Sequence, residues 1–186
     1  ALMHAAHQGK MDVVEALISR GADVDCTDRQ GKTALMFAAG AGHLEITAEL
    51  IAAGCDVNAT LTMGRSVLMF ASTVAVLERL VAAGADVSAR DGHGRSALVY
   101  ATTYHVTSGL IAAQADVNAA DTEGNTPLMC AAENGDIESL EALLAAGADI
   151  SARTSSGRTV LMFSATADVA RCALEAGVDP HATDEN

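Results

Sequence analysis

Glycine returns along this chain in two interleaved registers. Gly21, Gly54, Gly84, Gly147 and Gly177 form one series, with Gln114 at its fourth place, and the steps are 33, 30, 30, 33 and 30 residues. Gly31, Gly64, Gly94, Gly124 and Gly157 form the second, stepping 33, 30, 30 and 33. Two independent markers with one period describe a chain built by repetition. A unit of this length cannot bury its own apolar face, so neighbours must stack and share a core.

Each unit has the same internal order. A Thr or Ser two residues after the second glycine, at Thr33, Ser66, Ser96, Thr126 and Thr159, is placed to cap a helix, and Pro127 occupies a first helical position. A short apolar helix follows, as in Leu35-Met36-Phe37-Ala38, Leu68-Met69-Phe70-Ala71 and Leu128-Met129-Cys130-Ala131, and its near-continuous apolar character predicts burial on more than one side. A second helix carries spaced apolar residues such as Val14, Leu17 and Ile18, or Ile46, Leu50 and Ile51, and stops at the first-series glycine. The Asp two residues beyond it, at 23, 56, 86, 116, 149 and 179, is read as loop construction through an Asx-type hydrogen bond.

Composition narrows the function. Aromatic residues make up 3% of the chain and there is no Trp, so the core rests on Ala, Leu, Val, Ile and Met, which suit closely spaced helices. A formal charge of −13 argues against a nucleic-acid grip. No apolar run reaches the length of a membrane span. Cys26, Cys55, Cys130 and Cys172 show no C-x-x-C spacing, and reduced thiols point to a cytoplasmic setting. The six histidines are scattered over different repeat positions, so no metal site is expected. Cys130 sits at the Phe position of an apolar helix, and no phosphate loop or nucleophile elbow is present, so the chain is read as non-enzymatic, without a cofactor.

The segments Gly31-Lys32-Thr33-Ala34-Leu35-Met36-Phe37-Ala38-Ala39, Gly42-His43-Leu44-Glu45 and Gly54-Cys55-Asp56-Val57-Asn58-Ala59 resemble the ankyrin repeats, and Thr126-Pro127-Leu128 matches that family's Thr-Pro-Leu start. The resemblance covers six units, approximately 1–28, 29–60, 61–90, 91–120, 121–153 and 154–186, taken as one repeat domain. It implies an all-α solenoid of stacked helix-turn-helix units with β-hairpin loops, and a concave face that binds other proteins. The start at Ala1-Leu2-Met3 without its preceding turn, and the stop at Asp184-Glu185-Asn186, are read as marks of an excerpt from a longer chain.

The departures suggest where binding occurs. The third, fourth and sixth units lack three residues at the end of the first helix, and Thr73, Thr103 and Thr166 stand where they cap the second helix directly. Where the family usually has His after Leu, this chain has Met3, Met36, Met69, Met129, Met162 or Val99. Gln114 takes a glycine position and Gly109 interrupts a helix, which marks the fourth unit as the weakest. Seven basic residues, Arg29, Lys32, Arg65, Arg90, Arg95, Arg153 and Arg158, fall in or beside the loops. Lys32, Arg65, Arg95 and Arg158, interrupted by Asn125, read either as a ladder for an acidic peptide or as the polar residues a solvated turn needs, with Asp28, Asp91, Asp121 and Glu123 nearby to neutralise them. Tyr100 and Tyr104 read either as contact residues or as core filling where the Met-Phe pair of the other units is absent, and Glu133 and Asn134 in the longer fifth unit are further contact candidates. The expectation is a monomeric protein-binding module. The alternative is a spacer or regulatory scaffold in a larger channel, ligase adaptor, effector or enzyme.

Overall fold

The computed structural model describes residues 1–184; Glu185 and Asn186, at the end of the sixth expected unit, lie outside the described residues. The chain divides into two compact bodies, residues 1–92 and 93–186. The first holds α1 (Leu2–His7), α2 (Met11–Ser19), α3 (Ala34–Ala41), α4 (Leu44–Ala52), a 3₁₀ turn over Val67–Phe70, and α5 (Val74–Ala82). The second holds α6 (Ala97–Tyr100), α7 (Tyr104–Ala112), α8 (Pro127–Asn134), α9 (Ile137–Ala145), a 3₁₀ turn over Val160–Phe163, and α10 (Ala167–Glu175).

Within each body the helices form two layers. In the first, α3 packs between α1 and the Val67–Phe70 turn, while α4 packs between α2 and α5. In the second, α8 packs between α6 and the Val160–Phe163 turn, and α9 between α7 and α10. First helices therefore stack on first helices and second on second. The core runs between the layers through Leu35, Met36, Leu50, Leu77 and Leu80 in the first body and through Leu110, Leu128, Met129, Leu140 and Leu143 in the second.

The expected caps divide sharply. The Thr33 and Thr126 hydroxyls accept from the N–H of Met36 and Met129, and both helices run for eight residues. Ser66, Ser96 and Thr159 do not cap, which corrects the sequence expectation. They stand before helices of four residues in the shortened repeats, where the N–H three residues on bonds to the backbone carbonyl of the Ser or Thr itself: Met69 to Ser66, Val99 to Ser96, Met162 to Thr159. The donor is already engaged, and all three hydroxyls are buried with no hydrogen-bond partner among the described residues. The chain then turns extended at Ala71, Ala101 and Ser164. The Thr73, Thr103 and Thr166 hydroxyls cap the second helix there, accepting from Val76, Val106 and Val169.

The recurrent Asp builds the loops as its spacing suggested. The carboxylates of Asp23, Asp56, Asp86, Asp116, Asp149 and Asp179 each accept from the N–H two residues on, at 2.8–3.0 Å. Side chains two residues later tie neighbouring repeats together. Asn58 bonds both the Asp86 N–H and the Gly84 carbonyl, and Asn118 bonds the Asp149 N–H and the Gly147 carbonyl.

Where β-hairpins were expected, the described residues contain tight turns and no strand. The N–H of Asp28, Leu61, Asp121 and Thr154 bonds to the carbonyl four residues on, and one isolated antiparallel bridge joins Thr60 to Ser66. Gln114 has φ of 64°, which makes it the one non-glycine with left-handed backbone among the described residues. Gly109 does not interrupt α7, which runs through it.

Candidate functional site

The four basic residues that follow the turn glycines lie down over rings. The Lys32 ammonium is 5.5 Å from the centre of Phe37 and 6.0 Å from that of Phe70. The Arg65 guanidinium is 4.1 Å from Phe70, Arg95 is 5.0 Å from Tyr100, and Arg158 is 4.0 Å from Phe163. Each cation meets the aromatic residue five positions on, carried by the first helix of its own repeat. All four cations are half-buried, and a contact of this kind contributes about 0.5–2 kcal/mol depending on desolvation. Arg65 also donates to the Met69 carbonyl at 3.0 Å, at the end of its 3₁₀ turn.

The fifth repeat lacks both partners. Asn125 stands at the cation position and Cys130 at the ring position. A polar groove of about 430 Å³ opens there, lined by Arg95, Asn125, Cys130, Glu133, Asn134 and Arg158 together with residues of the turn and of α8. Four of the nine candidate residues from the sequence therefore meet in one place. Asp121 borders the groove but is committed to the turn, where its carboxylate accepts from the N–H of Glu123 and Asn125 and from the Asn125 amide. The Cys130 thiol is pushed up to about 11, chiefly by burial, with Asp121 and Glu133 adding to the shift and Arg95 opposing it. It is protonated at neutral pH and supplies no thiolate nucleophile.

A second cleft of about 340 Å³ adjoins the groove, sharing Val99, Cys130 and Asn134 with it. It lies where the short fourth repeat meets the full-length fifth, and Asp136, Ser139 and Thr107 supply polar groups inside it. Asp136 caps α9 by accepting from the Ser139 N–H at 3.0 Å, and its other oxygen accepts from the Ser139 hydroxyl at 2.6 Å. Ser139 Oγ lies 3.1 Å from Thr107 Oγ1.

The remaining candidates fall elsewhere. Arg29 is exposed in its loop. Tyr100 is half-buried beneath Arg95, whereas Tyr104 is exposed on the second-helix layer, beside Glu138, Glu141, Ala142 and Ala145. The two tyrosines share a repeat but not a surface. Arg153 donates to the carbonyls of Gly157 and Thr183. The sequence pointed to no role for Asp136, Ser139 or Thr107. The available signal was the alignment of Asp136 with His43 and Lys10, each following the glycine that ends a full-length first helix.

Among the described residues no group of three or more His, Cys, Asp or Glu side chains is arranged to hold a metal ion. No helix among them is long and apolar enough to cross a membrane.

Paired helices, glycine-ended and joined by Asp-built loops at a period of 30 or 33 residues, define a helical repeat protein. The sequence profile described as ankyrin repeats matches three times, over residues 2–91, 68–154 and 98–184. The chain belongs to the ankyrin-repeat family, whose members are in general protein–protein interaction modules. No curated protein matches it.

Proposed function

We propose that this protein is a non-catalytic recognition module, and that the groove over the fifth repeat accepts an acidic side chain from a linear segment of a partner protein. The observation that carries this reading is the interrupted array: Asn125 and Cys130 leave a space flanked by Arg95 on one side and Arg158 on the other. A ring engages the face of a guanidinium and a carboxylate its edge, so the stacking on Tyr100 and Phe163 does not compete with a ligand. Stacking also restricts the two side chains before binding, which lowers the entropy lost on complex formation. Glu123 and Glu133 at the same groove, and the formal charge of −13, select a segment with one or two carboxylates over a polyanion. The four unpaired thiols suit a reducing, intracellular setting.

The test compares proteins captured from a lysate by the full chain and by two charge-reversed variants, with circular dichroism confirming that each is folded. Arg95→Glu/Arg158→Glu is expected to lose a partner that Lys32→Glu/Arg65→Glu retains. A partner held equally by both variants removes the groove from the binding site, and capture of nothing by the unaltered chain favours a spacer.

A further inference from the structure

The order of full-length and shortened repeats decides which notch stays open. Where a full-length repeat precedes a short one, the extended linker of the short repeat closes over the end of the previous first helix. Ser72 donates from both N–H and hydroxyl to the Ala39 carbonyl, and a Cβ on Gly42 would lie 3.1 Å from Thr73. The same closure recurs where the Ala165 N–H bonds to the Ala132 carbonyl and Thr166 lies over Gly135. Where one full-length repeat precedes another, His43 fills the space: its ring lies against Gly9 and its Nε2 is 3.1 Å from the His7 carbonyl. The fourth repeat is short and the fifth is full-length. The helix end that His43 meets in the first body has no counterpart here, and Asp136, which follows Gly135 as His43 follows Gly42, lines an open cleft.

We propose that this cleft is a socket for a lysine side chain of the partner, an inference that rests on the recognition role proposed above and adds a second anchor beside Arg95 and Arg158. Leu98, Ala101, Ala131 and Leu143 offer an apolar wall for the methylene stem, and Asp136 with Asn134 and Thr102 offers acceptors for the ammonium. The Asp136 carboxylate has no cationic partner among the described residues, and its bonds to Ser139 hold it in place. A basic side chain also suits the net charge of −13.

The experiment titrates the full chain with n-butylammonium, the lysine side-chain analogue, and follows backbone amides by NMR at physiological ionic strength. Parallel titrations use 1-butanol, which keeps the stem without the charge, and tetramethylammonium, which keeps the charge without the stem. Thr102, Thr107, Asn134 and Ser139 are expected to shift with n-butylammonium alone. Asp136→Asn, which retains a capping oxygen and so the fold, is expected to weaken binding about tenfold, the equivalent of roughly 1.4 kcal/mol. Equal shifts with 1-butanol would reduce the cleft to an apolar crevice, equal shifts with tetramethylammonium would reduce the effect to surface charge, and no shift would remove the socket. The titration needs no partner, so its failure is distinct from failure of the charge-reversal capture.

Discussion

Full-length and shortened repeats solve one packing problem with different hydrogen-bond economies. In α3 and α8 the first helix is long enough for a true N-cap, and it ends at Gly42 and Gly135 with left-handed backbone. In the shortened repeats the first helix is a single turn, the hydroxyl of the Ser or Thr before it is buried without a partner among the described residues, and the capping function moves to the Thr before the second helix. A deletion of three residues thus relocates a cap in addition to shortening a helix. It also explains why the same residue type at the same repeat position is structural in one copy and idle in the next.

The strongest way to break this comparison is to remove the hydroxyls one by one. Thr126→Ala, which deletes a working cap, is expected to destabilise by about 1 kcal/mol. Ser96→Ala removes a buried hydroxyl that has no partner and is expected to be neutral or stabilising. Urea midpoints of the two variants check this. Equal losses would mean that Ser96 finds a donor in solution and that the two repeat types do not differ in capping.

The same contrast shows what the sequence could and could not disclose. The glycine turns, the Asp-built loops and the caps at Thr73, Thr103 and Thr166 were all legible, because each depends on a local rule at a fixed spacing. The idle hydroxyls of Ser66, Ser96 and Thr159 were not legible. Their side chains obey the capping pattern, and only the switch to a four-residue turn removes the donor. The basic ladder was visible as a count, but its stacking on Phe37, Phe70, Tyr100 and Phe163 depends on how each loop folds back on its own helix. The spacing of five between cation and ring, and the joint loss of both at Asn125 and Cys130, is present in the sequence as a covariation between repeats. The open cleft at Asp136 needs knowledge of which neighbour is short, so no single repeat reveals it.

A smaller effect separates the fourth repeat from the others. Gln114 holds φ of 64° where its counterparts are glycines at φ of 80–98°. A Cβ at those counterparts meets nothing within 4 Å, so the cost at Gln114 is backbone strain without steric crowding. Gln114→Gly relieves that strain, while the added freedom of glycine in the unfolded chain offsets part of the gain. The net expectation is a stabilisation of about 0.5 kcal/mol, read as a rise in the urea midpoint. A destabilised variant would show that the Gln114 side chain contributes packing that outweighs its backbone cost.

The smallest effect lies in the loops. Asp86 and Asp149 differ from the other loop aspartates in having Ser two residues on, and the Ser88 and Ser151 hydroxyls donate to them at 2.7 and 2.6 Å. That side-chain bond, followed by the N–H of the same serine, holds each carboxyl below its ordinary range. A carboxyl lowered in the folded state stabilises the protein above the ordinary carboxylate range, and the contribution is lost as pH falls through the folded value. Ser88→Ala and Ser151→Ala are therefore expected to move the two carboxyls back up toward the ordinary value, seen by NMR titration of the side-chain carbons. The acid-unfolding midpoint should move to slightly higher pH. Both carboxyls are exposed, so solvent screening keeps the shift in stability small. Unchanged titration in the variants would assign the shift to the loop N–H groups, which every one of the six aspartates shares, and would erase the distinction between the serine loops and the rest.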